Sequence, residues 1–242
     1  MTKIEKLKEL LLTLRLKAMA EILEETLKKT QTDNLSPVDI LSILASQEIA
    51  QRQERLVKTR INQAQFPVIK TLDAFNFSFP KSINKSLILN LFDLHFVEEK
   101  GNVIIMGPPG TGKTHLALAL GYQASLQGIK TRFTTAINLI NLLSASLADN
   151  SFLKAMKSFT SPRALIIDEL GYLPVDKQGA ELLFQVISSR YECGSIIITT
   201  NRAFRDWGKI LNNDNTLASA AIDRLVHHGT LVQIKGDSYR VK

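Results

Sequence analysis

Residues 107–114 read Gly107-Pro108-Pro109-Gly110-Thr111-Gly112-Lys113-Thr114. The pattern of Gly, four residues and Gly-Lys-Thr suits a loop that wraps phosphate oxygens. Its glycines let successive backbone N–H groups turn inward, and a helix starting at its end adds partial positive charge. In such a loop Lys113 reaches the β and γ phosphates and the Thr114 hydroxyl ligates Mg²⁺. A chance glycine-rich turn would lack the right flanks. Here an apolar strand, Asn102–Met106, leads in, and a helical pattern, His115 to Leu120, leads out.

A second run supplies acids. Ala164-Leu165-Ile166-Ile167-Asp168-Glu169 is an apolar strand ending in two carboxylates. Ligands of open parallel sheets bind at the carboxyl ends of the strands, so Asp168 is expected to face the Mg²⁺ that Thr114 holds. Glu169 is then placed to orient and deprotonate a water. That favours ATP hydrolysis over a small-molecule kinase, which transfers phosphoryl to a bound acceptor. A third strand end, Ile196-Ile197-Ile198-Thr199-Thr200-Asn201, offers Asn201 to both the γ-phosphate and the attacking water. Asn201 is favoured over Thr199 and Thr200, for which ordinary turn residues are the plainer reading.

These runs need a scaffold. Strand patterns at Asn102–Met106, 131–134, 164–167, 195–199 and 231–234 alternate with helical patterns near 113–127, 136–147, 177–191 and 218–228, the sign of a five-stranded parallel α/β sheet. The first 65 residues differ. Apolar residues at three- and four-residue steps predict one long helix over 3–29, a break over 30–37, and a second helix from Ser36-Pro37 to about Ala64, stopped by Phe66-Pro67. The domains are thus 1–65, helical, and 66–242, the phosphate-binding core. An aromatic linker, Leu72 to Pro80, opens the second.

The chain has 242 residues, 45% hydrophobic and 22% charged, which excludes disorder as the dominant state. No apolar run approaches the roughly 18 residues that cross a bilayer, and the N-terminus lacks a signal core, so a cytoplasmic protein without a membrane partner is expected. A lone cysteine, Cys193, excludes an internal disulfide and a thiolate metal site. A net charge of +7 and a pI near 9.5 suit a phosphate-bearing partner such as DNA. Candidate contacts to DNA phosphates in the helical part are Arg52, Arg55 and Lys58; a solvated helix face is the alternative for each. His227 and His228 read as helix-end residues, Cys193 as a packed or loop thiol, and Trp207 as core or interface.

Together the loop 107–114 (Walker A), Asp168-Glu169 (Walker B) and Asn201 resemble an AAA+ ATPase core of the initiator and helicase-loader clade. More narrowly, Phe66-Pro67, Lys70-Thr71-Leu72, Phe75-Asn76-Phe77, Asp168 to Tyr172, Thr199 to Asn201, Ala221 to Leu225 and Gly236-Asp237-Ser238-Tyr239-Arg240 resemble the IstB-type transposition helper ATPases, relatives of the DnaC helicase loader. The resemblance implies an AAA+ core without the C-terminal helical lid. It implies a homo-oligomer on DNA, with ATP and Mg²⁺ at subunit interfaces, that delivers target DNA to a partner transposase; a replicative helicase is the partner in the loader alternative. It also implies that Arg224 reaches a neighbour's γ-phosphate, against the plainer reading of a salt bridge to Asp223, and that Lys154, Lys157 and Arg163, in and after an insertion that follows the second strand, are candidate contacts to DNA phosphates, against the plainer reading of a solvated helix face.

Overall fold

In the computed structural model, residues 1–80 and 82–239 are described, the side chains of 30–32 excepted. Arg240, part of the last quoted motif, lies outside them. Two compact units result, Met1–Thr59 and Arg60–Lys242.

The first unit holds three helices: α1 (Lys3–Thr13), α2 (Lys17–Asp33) and most of α3 (Pro37–Ala64). The single helix expected over 3–29 is therefore two, and the break expected over 30–37 shrinks to three residues. Arg15 adopts φ 60°. The Leu16 N–H then reaches the Leu11 carbonyl at 2.8 Å and the Arg15 N–H reaches Leu12 at 2.9 Å, the paired closure that ends a helix around a left-handed residue. What restarts the chain comes from 30 residues away. The Glu48 carboxylate of α3, 4% exposed, accepts the Ala18 and Met19 N–H groups at 2.8 and 3.2 Å, and so caps α2 with negative charge. Arg52 donates to the other Glu48 oxygen at 2.9 Å and to the Arg15 carbonyl. At the start of α3 the expected reciprocal cap is present. The Asp39 N–H donates to the Ser36 hydroxyl and the Ser36 N–H to the Asp39 carboxylate.

The second unit is built on a parallel sheet of β1 (Asn102–Met106), β2 (Thr131–Thr135), β3 (Ala164–Leu170), β4 (Ser195–Thr200) and β5 (Gly229–Gln233), in the order β2-β3-β4-β1-β5. Its strands are apolar on both sides because both faces are covered. Val103, Ile105, Ile166 and Ile197 point to the face covered by α4 (Lys85–Leu91), α5 (His95–Glu98), α6 (Lys113–Leu126) and the linker. Ile104, Leu165, Ile167, Ile196 and Ile198 point to the face covered by α7 (Ala136–Ala148), α8 (Phe152–Thr160), α9 (Lys177–Arg190), α10 (Trp207–Ile210) and α11 (Asn215–His227). Each buried side chain of this size contributes roughly 1.5–3 kcal/mol, against about 0–1 for an exposed ion pair. The sheet core, not surface charge, therefore holds the unit together.

Two polar side chains tie its far edge. Arg190, 1% exposed, donates to the carbonyls of Phe159, Thr160, Pro162, Arg163 and Ser195 at 2.7–3.3 Å, and burial pushes its guanidinium down to about 10, still charged at neutral pH. Asn102 accepts the Ile196 N–H and donates to the Leu225 carbonyl, fixing the last turn of α11 against β1 and β4. Trp207, 1% exposed, is core; Cys193 is an exposed loop thiol.

The Glu48 cap generates a pH dependence. Burial works to raise its carboxyl, but the hydrogen bonds from Met19, Arg52 and Ala18 outweigh burial and hold it below the ordinary value of 4.5. A carboxyl held low in the fold contributes stability above its unfolded value and loses it as pH falls through the folded one. The helical unit should therefore loosen below pH 4.5, and Glu48→Gln should lower its melting temperature by a few degrees at pH 7 and flatten that acid loss. Circular dichroism melts of the full chain between pH 3 and 7 measure both.

Candidate nucleotide site

The strand order decides what meets at the carboxyl edge of the sheet. β4 lies between β1 and β3, so the end of β4 is wedged between the loop that follows β1 and the acids that end β3.

The loop is held in shape from within and from the side. The Thr111 hydroxyl donates to the Pro108 carbonyl at 2.8 Å, and Lys113 Nζ donates to the same carbonyl at 2.7 Å. Gly112, at φ 93°, begins α6, and a Cβ there would sit 2.6 Å from the Phe75 ring. Only glycine meets both the left-handed backbone and that close approach. Phe75 is in turn fixed by an edge contact with His115, whose Nε2 lies 2.8 Å from the Thr71 carbonyl. The aromatic linker is thus a wall of the site.

Asp168 is the centre. Its side chain is buried, at 3% exposure, and accepts the Thr114 hydroxyl at 2.9 Å through one oxygen and 3.1 Å through the other. The same carboxylate accepts the Thr199 hydroxyl, while the Thr199 oxygen accepts the Glu169 N–H at 3.0 Å. Thr199 is thus no turn residue: it is the penultimate residue of β4, 1% exposed, and joins both acids of β3. The pairing of β3 with β4 shifts register between Ile167 and Leu170, and Glu169 takes φ 60°. This bulge turns the Glu169 side chain out of the sheet, where it is exposed at the cavity while its neighbours stay buried.

Asn201 also lines that cavity; its Oδ1 is buried and has no hydrogen-bond partner among the described residues. A cavity of ≈490 Å³ is lined by Thr111, Lys113, Thr114, Glu169, Thr199 and Asn201 and by the rings of Phe75, Phe79 and Tyr239. Its polar groups suit phosphates and its rings suit a base. Thr114 and Asp168 offer the hard oxygen ligands that Mg²⁺ takes alongside substrate phosphates, so the residues present fit Mg-nucleotide. Glu169, exposed at the cavity, is placed to accept a proton from a water there.

The remaining candidates lie elsewhere. Arg224, on α11, does not line this cavity. Its Nη1 donates to the Ala220 carbonyl at 2.9 Å, its guanidinium lies over the Phe184 ring at 5.1 Å, and it borders a shallow hollow with Asn215, Thr216 and Ser219. Among the described residues it makes no ion pair with Asp223. Lys154, Lys157 and Arg163 are exposed on and just after α8, beside Leu153 at 84% exposure. Arg52 is committed to Glu48, and Arg55 to Gln51 on its own helix; Lys58 is exposed. His227 and His228 end α11 as expected, His227 against the Tyr191 hydroxyl at 2.8 Å, and their ring nitrogens and a Glu192 oxygen come within 4.8 Å on an exposed surface.

Comparison with known proteins agrees with this arrangement. Residues 9–242 match the family described as IstB-like ATP binding protein. The insertion sequence IS5376 ATP-binding protein of Geobacillus stearothermophilus is 40% identical over 238 residues, covering 98% of this chain and 94% of that one. The insertion sequence IS21 ATP-binding protein of Pseudomonas aeruginosa is 39% identical over 236 residues, covering 98% and 89%. Among solved structures the DnaC helicase loader superposes with a TM-score of 0.55 at 24% identity, over 68% of this chain and 96% of that one, which speaks for the fold alone.

Thr199→Val keeps the shape and removes the hydroxyl that joins Asp168 to the Glu169 backbone. ATP turnover should fall roughly 10- to 100-fold with a raised Mg²⁺ requirement, as for lost outer-shell partners of metal ligands, and Thr199→Ser should restore most of it. Steady-state phosphate release at graded Mg²⁺ measures this.

Proposed function

The chain belongs to the family of IstB-like ATP-binding proteins, and from that premise we propose that it is a Mg²⁺-dependent ATPase that assembles as a homo-oligomer on DNA and delivers target DNA to a partner transposase. The observation that carries the hydrolytic part is the bulge that places Glu169 at the cavity, which Asn201 also lines. In this reading Lys113 leaves the Pro108 carbonyl to hold the β and γ phosphates, and the loop 107–114 supplies N–H groups to them. Thr114 and Asp168 would hold Mg²⁺, which offsets the charge that develops on the transferring phosphoryl group. Asn201 and Glu169 orient a water, and Glu169 takes its proton.

Lys113 and Lys70, the latter just before the linker, are the lysines and arginines that line the cavity among the described residues. Arg224 stands outside it, its backbone carbonyl accepting from Asn102 and its Nη1 donating to the Ala220 carbonyl. An arginine supplied by a neighbour makes turnover depend on assembly, which is the reading proposed for it. The exposed Lys154, Lys157 and Arg163 give a sequence-independent contact with DNA phosphates; Lys58 is a further exposed cation, whereas Arg52 serves the Glu48 cap.

Glu169→Gln should retain ATP binding and lose turnover by roughly 10²- to 10⁴-fold. Arg224→Ala should also lose turnover as a pure species, and mixing the two variants should recover part of it, because an Arg224→Ala subunit keeps its own Glu169 and can borrow a neighbour's arginine. Absence of recovery, with both variants binding ATP, would sink the finger assignment. Lys154→Ala with Lys157→Ala should weaken DNA binding alike for unrelated sequences and reduce the salt slope by roughly 2, as read by fluorescence anisotropy. Pull-down by the intact chain of a helicase rather than a transposase would replace the delivery role with loading.

A further inference from the structure

The segment that follows β5 folds back onto the phosphate loop. Ile234 donates its N–H to the Met106 carbonyl at 2.8 Å, and Lys235 then pairs with Ser82 in an antiparallel bridge, each N–H donating to the other carbonyl at 3.0 and 3.1 Å. Four residues later the Tyr239 N–H donates to the Gly110 carbonyl at 3.0 Å. Ser238 lies so close over Gly110 that a Cβ on that glycine would fall 2.0 Å from the Ser238 hydroxyl oxygen, and Gly110 is at φ 76°. The Tyr239 ring meets Phe79 edge-on at 4.6 Å, and both rings line the cavity.

One hydrogen bond here orients a second group. The peptide between Gly110 and Thr111 is trans, so its C=O and N–H point in opposite directions. A tail that takes the Gly110 carbonyl on one side fixes the Thr111 N–H on the other. We propose that residues 235–239 form a clasp that presets the phosphate loop for a polyphosphate, with Tyr239 a positioning residue, so that clasp docking and nucleotide binding are coupled. The coupling is reciprocal: what the docked clasp adds to nucleotide affinity, bound nucleotide adds to clasp docking. This goes beyond hydrolysis and DNA delivery and rests only on the site's binding of ATP.

The test uses the full chain with ATP and inorganic tripolyphosphate as probes. Tyr239→Pro removes the N–H, and Tyr239→Ala removes the ring but keeps the N–H. Tyr239→Pro should weaken both probes by roughly 5- to 150-fold, the usual range for coupled sites, and should weaken tripolyphosphate more than Tyr239→Ala does; Tyr239→Phe should restore both affinities. Equal affinities in the Pro variant and the unaltered chain would overturn the clasp. Hydrogen exchange of the unaltered protein gives a second reading that no folding defect can blur. Saturating ATP should slow amide exchange of residues 236–239, and unchanged exchange there, with ATP demonstrably bound, would contradict the coupling.

Discussion

A carboxylate buried at the edge of a sheet must be hydrogen-bonded or coordinated, and Asp168 is satisfied by two hydroxyls, Thr114 from the phosphate loop and Thr199 from the neighbouring strand. That requirement organises the rest. It needs β4 between β1 and β3, it needs α6 to begin where Thr114 can reach across, and it leaves Glu169 on a bulge whose N–H is taken by Thr199. The sheet core and the buried ties of Arg190 and Asn102 serve as the frame that keeps those three strand ends in register. Position of the acids is thus a property of the whole unit rather than of one motif.

Much of this was legible from short stretches of sequence. The loop 107–114, its flanking strand and helix, Asp168 and Glu169 are contiguous patterns, and the five strands and four of the helices of the second unit fall close to their expected places because β-branched runs and helical periods are local signals. Thr199 was not legible, since its role depends on which strand lies between which. The turn at Arg15 was not legible either. An arginine gives no glycine-like signal, and the cap that restarts α2 comes from Glu48, far along the chain. In the same way the contact of Ser238 and Tyr239 with Gly110 joins residues more than a hundred positions apart.

The +7 charge divides accordingly. Lys113 belongs to the phosphate loop, Arg190 to five backbone carbonyls inside the core, and Arg52 to the cap of α2. Each is accounted for by a partner within its own unit. Among the exposed cations, Lys154, Lys157, Arg163 and Lys58 are those proposed for DNA phosphates, so that proposal rests on named side chains rather than on net charge.

The central claim is that the Thr114–Asp168–Thr199 group is built for Mg-nucleotide. Its most direct test is isothermal titration of the intact chain with ATP in the presence of Mg²⁺ and again in EDTA, alongside an Asp168→Asn variant. The account predicts that Mg²⁺ tightens ATP binding several-fold in the unaltered protein and that the Asn variant loses most of this enhancement while still binding ATP. Equal ATP affinity with and without Mg²⁺ in the unaltered protein would contradict it.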